Sequence, residues 1–582
     1  MKTLLDRWVR SAPMVVATSL SLLQPVQGVV IKRTIVYSRL TDFSQNQSIG
    51  QMKISAQGGK IVFSTTTKKI FTLNTDGTGL MEVFDYASHR SGCPCLAPFV
   101  DISGDGSKIL WTDTVGEIFI SNGDGSARQR IATEFKGPNI AVSGPSIRVQ
   151  PRLTTDGSRV IFANSLPDAG RIASGWQEFA GVWAINSDGS GQTQLVSYAQ
   201  VSREILGKDG TEYNPNVAFY PGFDISDDGS RVVFSTTQDQ GAIVGLQGGA
   251  LRKLADTPVT GTRALSINGL GTQIAYVPQT PAFSEKVHSQ NYSGGAPVTL
   301  AEIGLAGGVQ MTRLGDRVLA VSTGTAVPLI PISLLNTDGS GRWDVVILSC
   351  YAPASMNPFS AAGMPSVSAD GRRVAFISDL GSPQIWIADI DPTHAKDAPT
   401  ISSVVFSPSF VLADGSTSSS ITAAVAPGAN PIERVCLDPL MDGATAPSAL
   451  NSTRLVDDGS SGDQTSLDGI YSNNNVRRTF GSTGVYTLRV NAFAGSRITS
   501  VDAEPFSIRT TAPAQPATEI HRAVELRWSS ERGLRYQVFR SLDAGILFQP
   551  FGSTVEGTGG FVTVFDTTRE KDKAFYQIRL VE

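Results

Sequence analysis

One short unit recurs along the chain and constrains its fold more than any other feature. Residues 223–237, FDISDDGSRVVFSTT, have the pattern of a strand, a tight Asp-Gly turn and a second strand, which together make a β-hairpin. Each copy has a branched aliphatic residue three positions after its turn glycine, and most have an aromatic residue two positions later. The unit occurs seven times, with turn glycines at Gly58, Gly106, Gly157, Gly229, Gly271, Gly315 and Gly371.

Each repeat also has a second half. A variable segment leads to another apolar strand and then to a second turn rich in Asn, Asp and Gly, as in residues 74–77, 122–125, 186–189 and 336–339. Because these residues tolerate positive φ, a tight turn forms there at low cost. Hairpins that repeat with a period of roughly 40–50 residues are the sequence signature of a β-propeller. The pattern therefore predicts an all-β chain with a seven-bladed β-propeller.

The repeat resembles the TolB-type, WD-like propeller repeat, whose pattern is close to S-x-D-G-x-x-[IV]-x-F followed by [IV]-[YW]-x-x-[ND]-x-D-G. The resemblance covers about residues 50–391, and units five and six depart from it because Gly271 and Gly315 lack the preceding Asp. It implies a propeller that acts by binding protein partners in the periplasm.

Four segments follow from the pattern along the chain. Residues 1–28 resemble a secretory signal peptide, with basic residues, an apolar stretch and a small-residue cleavage site. Residues 29–391 form the predicted propeller, in which residues 33–38 supply the missing fourth strand of the last blade. Residues 399–510 have the alternation of an Ig-like β-sandwich, and residues 519–582 resemble a small, fibronectin-like C-terminal β-sandwich module. Residues 392–398 and 511–520 are predicted linkers.

Composition limits the compartment and the partners. The formal net charge is −4 and no basic run is present, which argues against nucleic acid and anionic membranes as partners. The N-terminal apolar run is too short and too polar to span a bilayer, so we expect no transmembrane segment after signal removal. We expect an exported monomer that is periplasmic, at the cell surface or secreted.

The chain has four cysteines, Cys93, Cys95, Cys350 and Cys436. Export permits disulfides, and a bridge from Cys93 or Cys95 to Cys350 is conceivable. Two neighbouring thiols with distant histidines are too few ligands for a metal site. We therefore expect the cysteines to be structural or unpaired.

The two faces of the predicted propeller differ. In an antiparallel blade, the turns between strands one and two and between strands three and four lie on one face, the tight-turn face. The other connections lie on the opposite, loop face, and they are long at residues 84–98, 135–146, 164–180, 197–221, 277–286 and 349–363. Long loops on a rigid scaffold often bind ligands, and aromatic residues with arginine are enriched in such patches. The candidate contacts are His89, Arg90, Arg171, Trp176, Tyr213, Tyr220, His288 and Phe359. The alternative is that these side chains only pack the loops.

No catalytic residues are predicted. The sequence contains no G-x-S-x-G, no H-E-x-x-H and no P-loop, and its four histidines are scattered. Asp101 and Asp224 precede the apolar residue of a first strand, so they would face the channel together with Gln310. Carboxylates there could do acid–base work or bind a cation.

One acidic run in the Ig-like segment would suit a metal ion. It resembles the DDG…GD…DG-x-Y segment of Ig-like domains in bacterial surface proteins. Its acids are Asp457, Asp458, Asp463 and Asp468, and Ca²⁺ prefers several oxygen ligands of this kind. The spacing does not match an EF-hand, and Asx turns that shape a long loop are the alternative. No other cofactor is expected.

Three functions remain open. The first is a non-catalytic, exported scaffold whose loop face binds a protein or a glycan. The second is a hydrolase or lyase with a metal-assisted site in the channel. The third is a structural surface or adhesion protein, in which the sandwich modules matter most.

Overall fold

The computed structural model describes residues 33–43, 49–85, 99–112, 117–132, 148–165, 181–205, 207, 223–236, 242–256, 262–278, 285–303, 306–322, 332–346, 364–378, 384–392, 397–441, 444–445, 454–478, 483–512, 524–542, 547–566 and 574–581. These residues are almost entirely β-strand, so the predicted all-β class is confirmed. A single helix, α1 Tyr198–Glu204, is present among them; Ser197 caps it by accepting a hydrogen bond from the Gln200 backbone N–H.

Six four-stranded antiparallel sheets follow one another along the chain, and each has its strands in sequence order. We call them blades 1 to 6. Blade 1 contains β2 Ile49–Ile54, β3 Lys60–Thr65, β4 Lys69–Asn74 and β5 Met81–Asp85. Blade 2 contains β6 Val100–Ile102, β7 Lys108–Thr112, β8 Ile118–Asn122 and β9 Gln129–Ala132. Blade 3 contains β10 Arg148–Leu153, β11 Arg159–Ser165, β12 Gly181–Asn186 and β13 Thr193–Ser197. Blade 4 contains β14 Phe223–Ile225, β15 Arg231–Ser235, β16 Ala242–Gln247 and β17 Ala250–Asp256. Blade 5 contains β18 Thr262–Ile267, β19 Gln273–Pro278, β20 Glu285–Asn291 and β21 Val298–Ile303. Blade 6 contains β22 Ala306–Met311, β23 Arg317–Ser322, β24 Ile332–Asn336 and β25 Arg342–Val346.

The seventh unit combines the two ends of the repeat region. Strands β26 Ser366–Val367, β27 Arg373–Ser378 and β28 Gln384–Ile390 pair in order, and β28 then pairs with β1 Arg33–Arg39. In this register Tyr37 lies opposite Ala388. The predicted completion of the last unit by residues 33–38 is therefore present in the strand pairing. We call this unit blade 7.

Backbone hydrogen bonds join the seven first turns into a closed ring. Each turn donates to the turn of the next blade, and blade 7 donates back to blade 1, with N···O distances from 2.8 to 3.3 Å. The pairs, with the N–H donor first and the carbonyl acceptor second, are Gln57–Gly104, Gly104–Thr155, Thr155–Asp227, Asp227–Gly269, Gly269–Arg313, Leu314–Ala369 and Ala369–Ala56. The blades are thus arranged around one axis, with their first strands innermost.

The apolar core consists of clusters between neighbouring blades. Blades 1 and 7 share one cluster, and each following pair of neighbours shares another. The repeat aromatics supply the centres: Phe63, Trp111, Phe162 and Phe234 are fully buried. Burial of large side chains between blades is the main stabilising contribution here, at about 1.5–3 kcal/mol for each side chain.

Residues 400–509 form two sheets around a separate core. Strands β29 Thr400–Ser407, β31 Ser419–Ala426 and β35 Ile470–Val476 make one sheet. The other contains β30 Phe410–Leu412, β32 Arg434–Met441, β33 Ala444–Thr445, β34 Arg454–Leu455, β36 Gly484–Ala494 and β37 Arg497–Arg509. Val404 and Ile421 of the first sheet pack with Leu437, Val490 and residues of the second in one buried cluster. We call this region the sandwich.

The sandwich and blade 7 share one continuous sheet. Strand β1 pairs with β28 on one edge and with β37 on the other, so that Tyr37 also lies opposite Ile498. The sheet therefore runs β26-β27-β28-β1-β37-β36-β32-β33. Nothing in the sequence pattern predicts this connection.

Cys436 of β32 is disulfide-bonded and fully buried. Its side chain belongs to the cluster between blades 6 and 7, where Val345 and Trp386 also lie. The other three cysteines of the chain are Cys93, Cys95 and Cys350, which lie outside the described residues but within the propeller segment. The bridge considered from sequence, from Cys93 or Cys95 to Cys350, did not involve Cys436.

The C-terminal residues form a second compact unit, described here by itself. Its two small sheets are β38 Val524–Ser529 with β41 Phe561–Asp566, and β40 Gln549–Glu556, β39 Arg535–Ser541 with β42 Phe575–Val581. Tyr576 donates a hydrogen bond to Asp566 at 2.7 Å, and Arg540 pairs with the same carboxylate at 3.1 Å. Within the described ranges, no helix has both the length and the apolar character needed to cross a bilayer.

Candidate functional site

The tight-turn face is held by its own side chains. Each of the seven first turns has its glycine at φ between 66° and 80°, a region that other residues rarely adopt. In blade 2, Ser103 Oγ donates to Asp105 Oδ1 at 2.8 Å, and the same carboxylate accepts from the Ser107 backbone N–H at 2.9 Å. The Ser107 N–H holds the pKa of Asp105 below its ordinary value. The acids of this face therefore shape turns.

Blades 5 and 6, which lack the turn aspartate, use other groups. Asn268 Oδ1 accepts from the backbone N–H of Thr272 at 2.7 Å, and Thr312 Oγ1 donates to Asp316 at 2.7 Å. The residue directly before the turn glycine, which is an aspartate in other blades, is Leu270 in blade 5 and Leu314 in blade 6. These two side chains are 75% and 66% exposed. Both are large, exposed apolar groups of this face.

An ion pair narrows the channel at the tight-turn face. Arg313 Nε of blade 6 donates to Asp227 Oδ1 of blade 4 at 2.6 Å, passing over Gly269 of blade 5. A Cβ atom at Gly269 would lie 2.2 Å from Asp227 Oδ2, so only glycine fits beneath this pair. Thr155 Oγ1 donates to the same carboxylate.

The loop face is defined by strand ends at the opposite side of the ring. Long segments connect Asp85 to Val100, Ala132 to Arg148, Ser165 to Gly181, Glu204 to Phe223, and Val346 to Ser366. Seven of the eight predicted contacts belong to these segments and lie outside the described residues: His89, Arg90, Arg171, Trp176, Tyr213, Tyr220 and Phe359.

The eighth predicted contact, His288, lies within strand β20 and not in a connection. Its ring packs 5.4 Å from the ring of Tyr276, and its Nδ1 lies 3.3 Å from Thr299 Oγ1. Burial, with Lys286 nearby, lowers the pKa of His288 below its ordinary value. The imidazole is thus part of the blade 5 strand packing.

Seven residues at one level of the first strands line the channel, and we call them the inner ring. Each precedes the buried apolar residue near the end of its strand; they are Lys53, Asp101, Arg152, Asp224, Ser266, Gln310 and Ser366. Five of them use a side-chain oxygen to accept a hydrogen bond from the first strand of the next blade. The donors are the backbone N–H groups of Leu153 for Asp101, Ile267 for Asp224, Met311 for Ser266, Val367 for Gln310 and Ile54 for Ser366.

The two channel carboxylates considered for acid–base work are thus used between blades. Asp101 Oδ1 accepts from the Ile102 N–H at 3.0 Å and its Oδ2 from the Leu153 N–H at 2.9 Å. Asp224 Oδ2 accepts from Ser266 Oγ at 2.7 Å, while its Oδ1 faces Arg152 Nε at 3.6 Å. Both side chains therefore have positioned donors, which is the arrangement of a structural group.

The two basic members of the inner ring were not recognised from sequence. Arg152 cannot accept a hydrogen bond; it donates to the Phe223 carbonyl of blade 4 at 3.3 Å and pairs with Asp224. Within the described ranges, Lys53 makes no such contact with the next blade. Both residues could have been found from the sequence by comparing the same repeat position, five residues before the turn glycine, in all seven units. Only the Asp and Gln residues at this position are among those predicted from sequence to face the channel.

The acidic run of the sandwich contains a group of three carboxylates. Asp457, Asp463 and Asp468 each offer an oxygen, and these oxygens lie within 4.8 Å of one another. Asp463 is buried and accepts from the Gly459 N–H at 2.6 Å, and Asp457 accepts from the Gly469 N–H at 3.0 Å. The fourth predicted ligand, Asp458, is outside this group and instead accepts from the Ser460 N–H at 2.9 Å. Three acids could therefore hold a cation, and the calcium site stays a prediction.

Comparison with known proteins gives only distant structural likeness. No family model and no curated protein matches the chain. Similar solved structures include oligogalacturonate lyase from Vibrio parahaemolyticus (TM-score 0.43, 14% identity, covering 61% of this chain and 93% of that one) and an oligogalacturonate lyase in complex with manganese (TM-score 0.42, 11% identity, 61% and 93%). TolB from Acinetobacter baumannii is also similar (TM-score 0.33, 15% identity, 54% and 63%). Values this low do not assign a family, and the fold is taken from the chain's own strand pairing.

Proposed function

We propose that this chain is a non-catalytic, exported binding scaffold whose loop face recognises a protein or a glycan in the periplasm or at the cell surface. The observation that carries the proposal is the division between the two faces. Side chains of the tight-turn face are used in turns and in the ring between blades, as Asp105 and Asp227 illustrate. The long connections all join strands on the opposite face, where their sequences are free to serve a ligand.

The inner ring favours binding over acid–base chemistry. A general acid or base needs a carboxyl group that is free to exchange a proton with a substrate. Asp101 and Asp224 instead bind backbone N–H groups and Arg152. A hydrolase or lyase with a metal in the channel is the alternative, and turnover of a glycan substrate would establish it.

The disulfide at Cys436 supports export. Disulfides persist in oxidising compartments and are rare in the cytosol. A disulfide at the buried Cys436 suits a protein that works outside the cytoplasm.

The test compares the two faces in the same chain. The protein from residue 29 onward is screened against envelope extracts by cross-linking and against a glycan array. Loop-face variants Trp176→Ala and Tyr220→Ala are compared with Leu270→Ser and Leu314→Ser, which alter the exposed apolar groups of the tight-turn face. Removal of a central aromatic contact commonly weakens binding by about tenfold or more.

We expect the loop-face variants to lose binding and the leucine variants to keep it. Binding that survives both aromatic substitutions but is lost with Leu270→Ser or Leu314→Ser would contradict the choice of face. Retention at the cell surface that depends only on residues 399–582 would favour the structural or adhesive function instead.

A further inference from the structure

Lys53 breaks the rule that the other inner-ring residues follow. Five of the seven positions accept a hydrogen bond from the next blade, and Arg152 compensates by pairing with Asp224. At the junction of blades 1 and 2, the Ile102 N–H is bonded by Asp101 of its own blade. In the described part of the chain, Lys53 Nζ makes no hydrogen bond. A local rule broken without compensation is typical of a functional position.

The amino group of Lys53 faces the axis of the ring. It interacts electrostatically with Asp101 of blade 2, Arg152 of blade 3, Asp224 of blade 4 and Arg313 of blade 6. Only a group that points into the channel can interact with so many different blades. Lys53 is half-buried.

Lys53 is the member of this set with unused hydrogen-bonding capacity. Arg313 pairs with Asp227 at 2.6 Å, and Arg152 contacts Asp224 and the Phe223 carbonyl. Asp101 and Asp224 each accept a hydrogen bond from a backbone N–H group of the next blade. An ammonium group has three donors and no acceptor, so its natural partner is an anion or another acceptor. Burial, together with the nearby Arg152, lowers the pKa of Lys53 below its ordinary value, so its charge is poorly solvated where it stands.

We propose that Lys53 anchors a second binding site, inside the ring, for a ligand that carries a carboxylate group. A carboxylate brings two acceptor oxygens and a single negative charge to the ammonium group. A doubly charged anion would be repelled more strongly by Asp101 of blade 2 and Asp224 of blade 4.

This inference goes beyond the proposed function, since it concerns a channel residue and not the loops. It also predicts a pH dependence. Binding needs the ammonium form, so affinity is full below the lowered pKa of Lys53 and is lost as the pH rises through it. The charged groups around Lys53 are Asp101, Arg152, Asp224 and Arg313.

The experiment is trace reductive methylation of the full chain, read lysine by lysine by peptide mass spectrometry. Methylation requires the unprotonated amine, so its rate reports the pKa of each lysine. Acetate is the probe, acetamide is its uncharged isostere, and chloride keeps the ionic strength constant. Lys60 is the internal control, because its Nζ donates to the Gly123 carbonyl at 3.1 Å on the tight-turn face.

We expect acetate to slow the methylation of Lys53, by about tenfold for each unit by which its pKa rises, and to leave Lys60 unchanged. Acetamide and chloride should have no such effect. An unchanged Lys53 rate in acetate would overturn the proposal, as would equal protection by acetamide or chloride.

A second arm uses saturation-transfer NMR of acetate with Lys53→Met and its matched control Lys60→Met. The acetate signal should persist in Lys60→Met and disappear in Lys53→Met. If Lys53→Met does not fold, the labelling of the natural chain still decides. Trp176→Ala should leave the protection of Lys53 intact, so a failure of the loop-face proposal is distinguishable from a failure of this one.

Discussion

Arg489 and Asp502 form a two-pronged ion pair across neighbouring strands β36 and β37. Arg489 Nε lies 2.7 Å from Asp502 Oδ1, and its Nη2 lies 3.1 Å from Oδ2. The remaining nitrogen donates to the Asp344 carbonyl of blade 6 at 2.7 Å, and the side chain is 1% exposed. The sandwich thereby holds the propeller with a buried, fully bonded charge.

Replacing Arg489 by Met should be strongly destabilising. Removal of one partner leaves the Asp502 carboxylate in a dry environment without its counter-charge, which typically costs about 3–5 kcal/mol. Urea unfolding of the full chain measures the effect. Arg509→Ala, at an exposed position at the end of the neighbouring strand β37, is the control and should change the stability by less than about 0.5 kcal/mol. A loss for Arg489→Met as small as that of the control would mean that the pair does not hold the two regions together.

Tyr37 should make stability fall in strongly alkaline solution. Burial raises the pKa of Tyr37 to about 12, and its hydroxyl donates to the Val345 carbonyl of blade 6. The folded state therefore keeps the proton while the unfolded chain begins to lose it near pH 10. The stabilising contribution is full below about pH 10 and falls by about 2–3 kcal/mol as the pH rises to about 12.

The measurement is the free energy of unfolding of the natural chain and of Tyr37→Phe across this alkaline range. The difference between the two isolates Tyr37 from other buried tyrosines such as Tyr292, whose pKa is also raised to about 12. Parallel curves for the two proteins would contradict the prediction.

Cys436 should be recovered in a disulfide that joins the sandwich to the propeller segment. Peptide mapping without reduction should give a Cys436 peptide linked to one that contains Cys93, Cys95 or Cys350. Loss of a native bridge commonly costs about 2–5 kcal/mol, so Cys436→Ala should unfold at lower urea concentration. A free thiol at Cys436 in protein isolated from an oxidising compartment would refute this assignment.

The three carboxylates of the sandwich should bind Ca²⁺. Asp457, Asp463 and Asp468 present oxygens within 4.8 Å of one another, so their mutual repulsion would be relieved by a cation. At about one hundred times its dissociation constant, a bound ion stabilises the folded state by about 2.7 kcal/mol, which calorimetry detects as a higher melting temperature.

Asp463→Asn should abolish this calcium effect, and Asp458→Asn, outside the cluster, should preserve it. If Ca²⁺ and Mg²⁺ leave the melting temperature unchanged, or if both variants respond alike, the turns alone explain the acidic run.

The repeat pattern was sufficient to predict much of the fold. A turn glycine such as Gly229 and a buried aromatic such as Phe234 recur in register, because each blade solves the same local problem of a tight turn beside a packed interface. The pairing of β1 with β28 followed from the missing fourth strand of the last unit. These features are local or periodic, so a single sequence carries them.

The rest depends on contacts between distant segments. The pairing of β1 with β37 joins residues such as Tyr37 and Ile498, which share no periodicity and no motif. The charged groups around Lys53 come from four other blades, so its unusual environment is visible only once the ring is assembled. The loop-face contacts remain predictions. His288 lies in a strand, and the other seven lie outside the described residues.

The central structural claim is that β1 is an inner strand, shared by blade 7 and the sandwich, because it fixes the closure of the ring and hence which face carries the loops. Residue-resolved hydrogen exchange of the native protein tests it most directly. Strand β1 has β28 on one side and β37 on the other, so the amides of Ile35, Val36, Tyr37 and Ser38 should all exchange slowly. Fast exchange at every second amide would show a strand with one neighbour only, and fast exchange at all four would show a strand outside the sheet; either result would contradict the account.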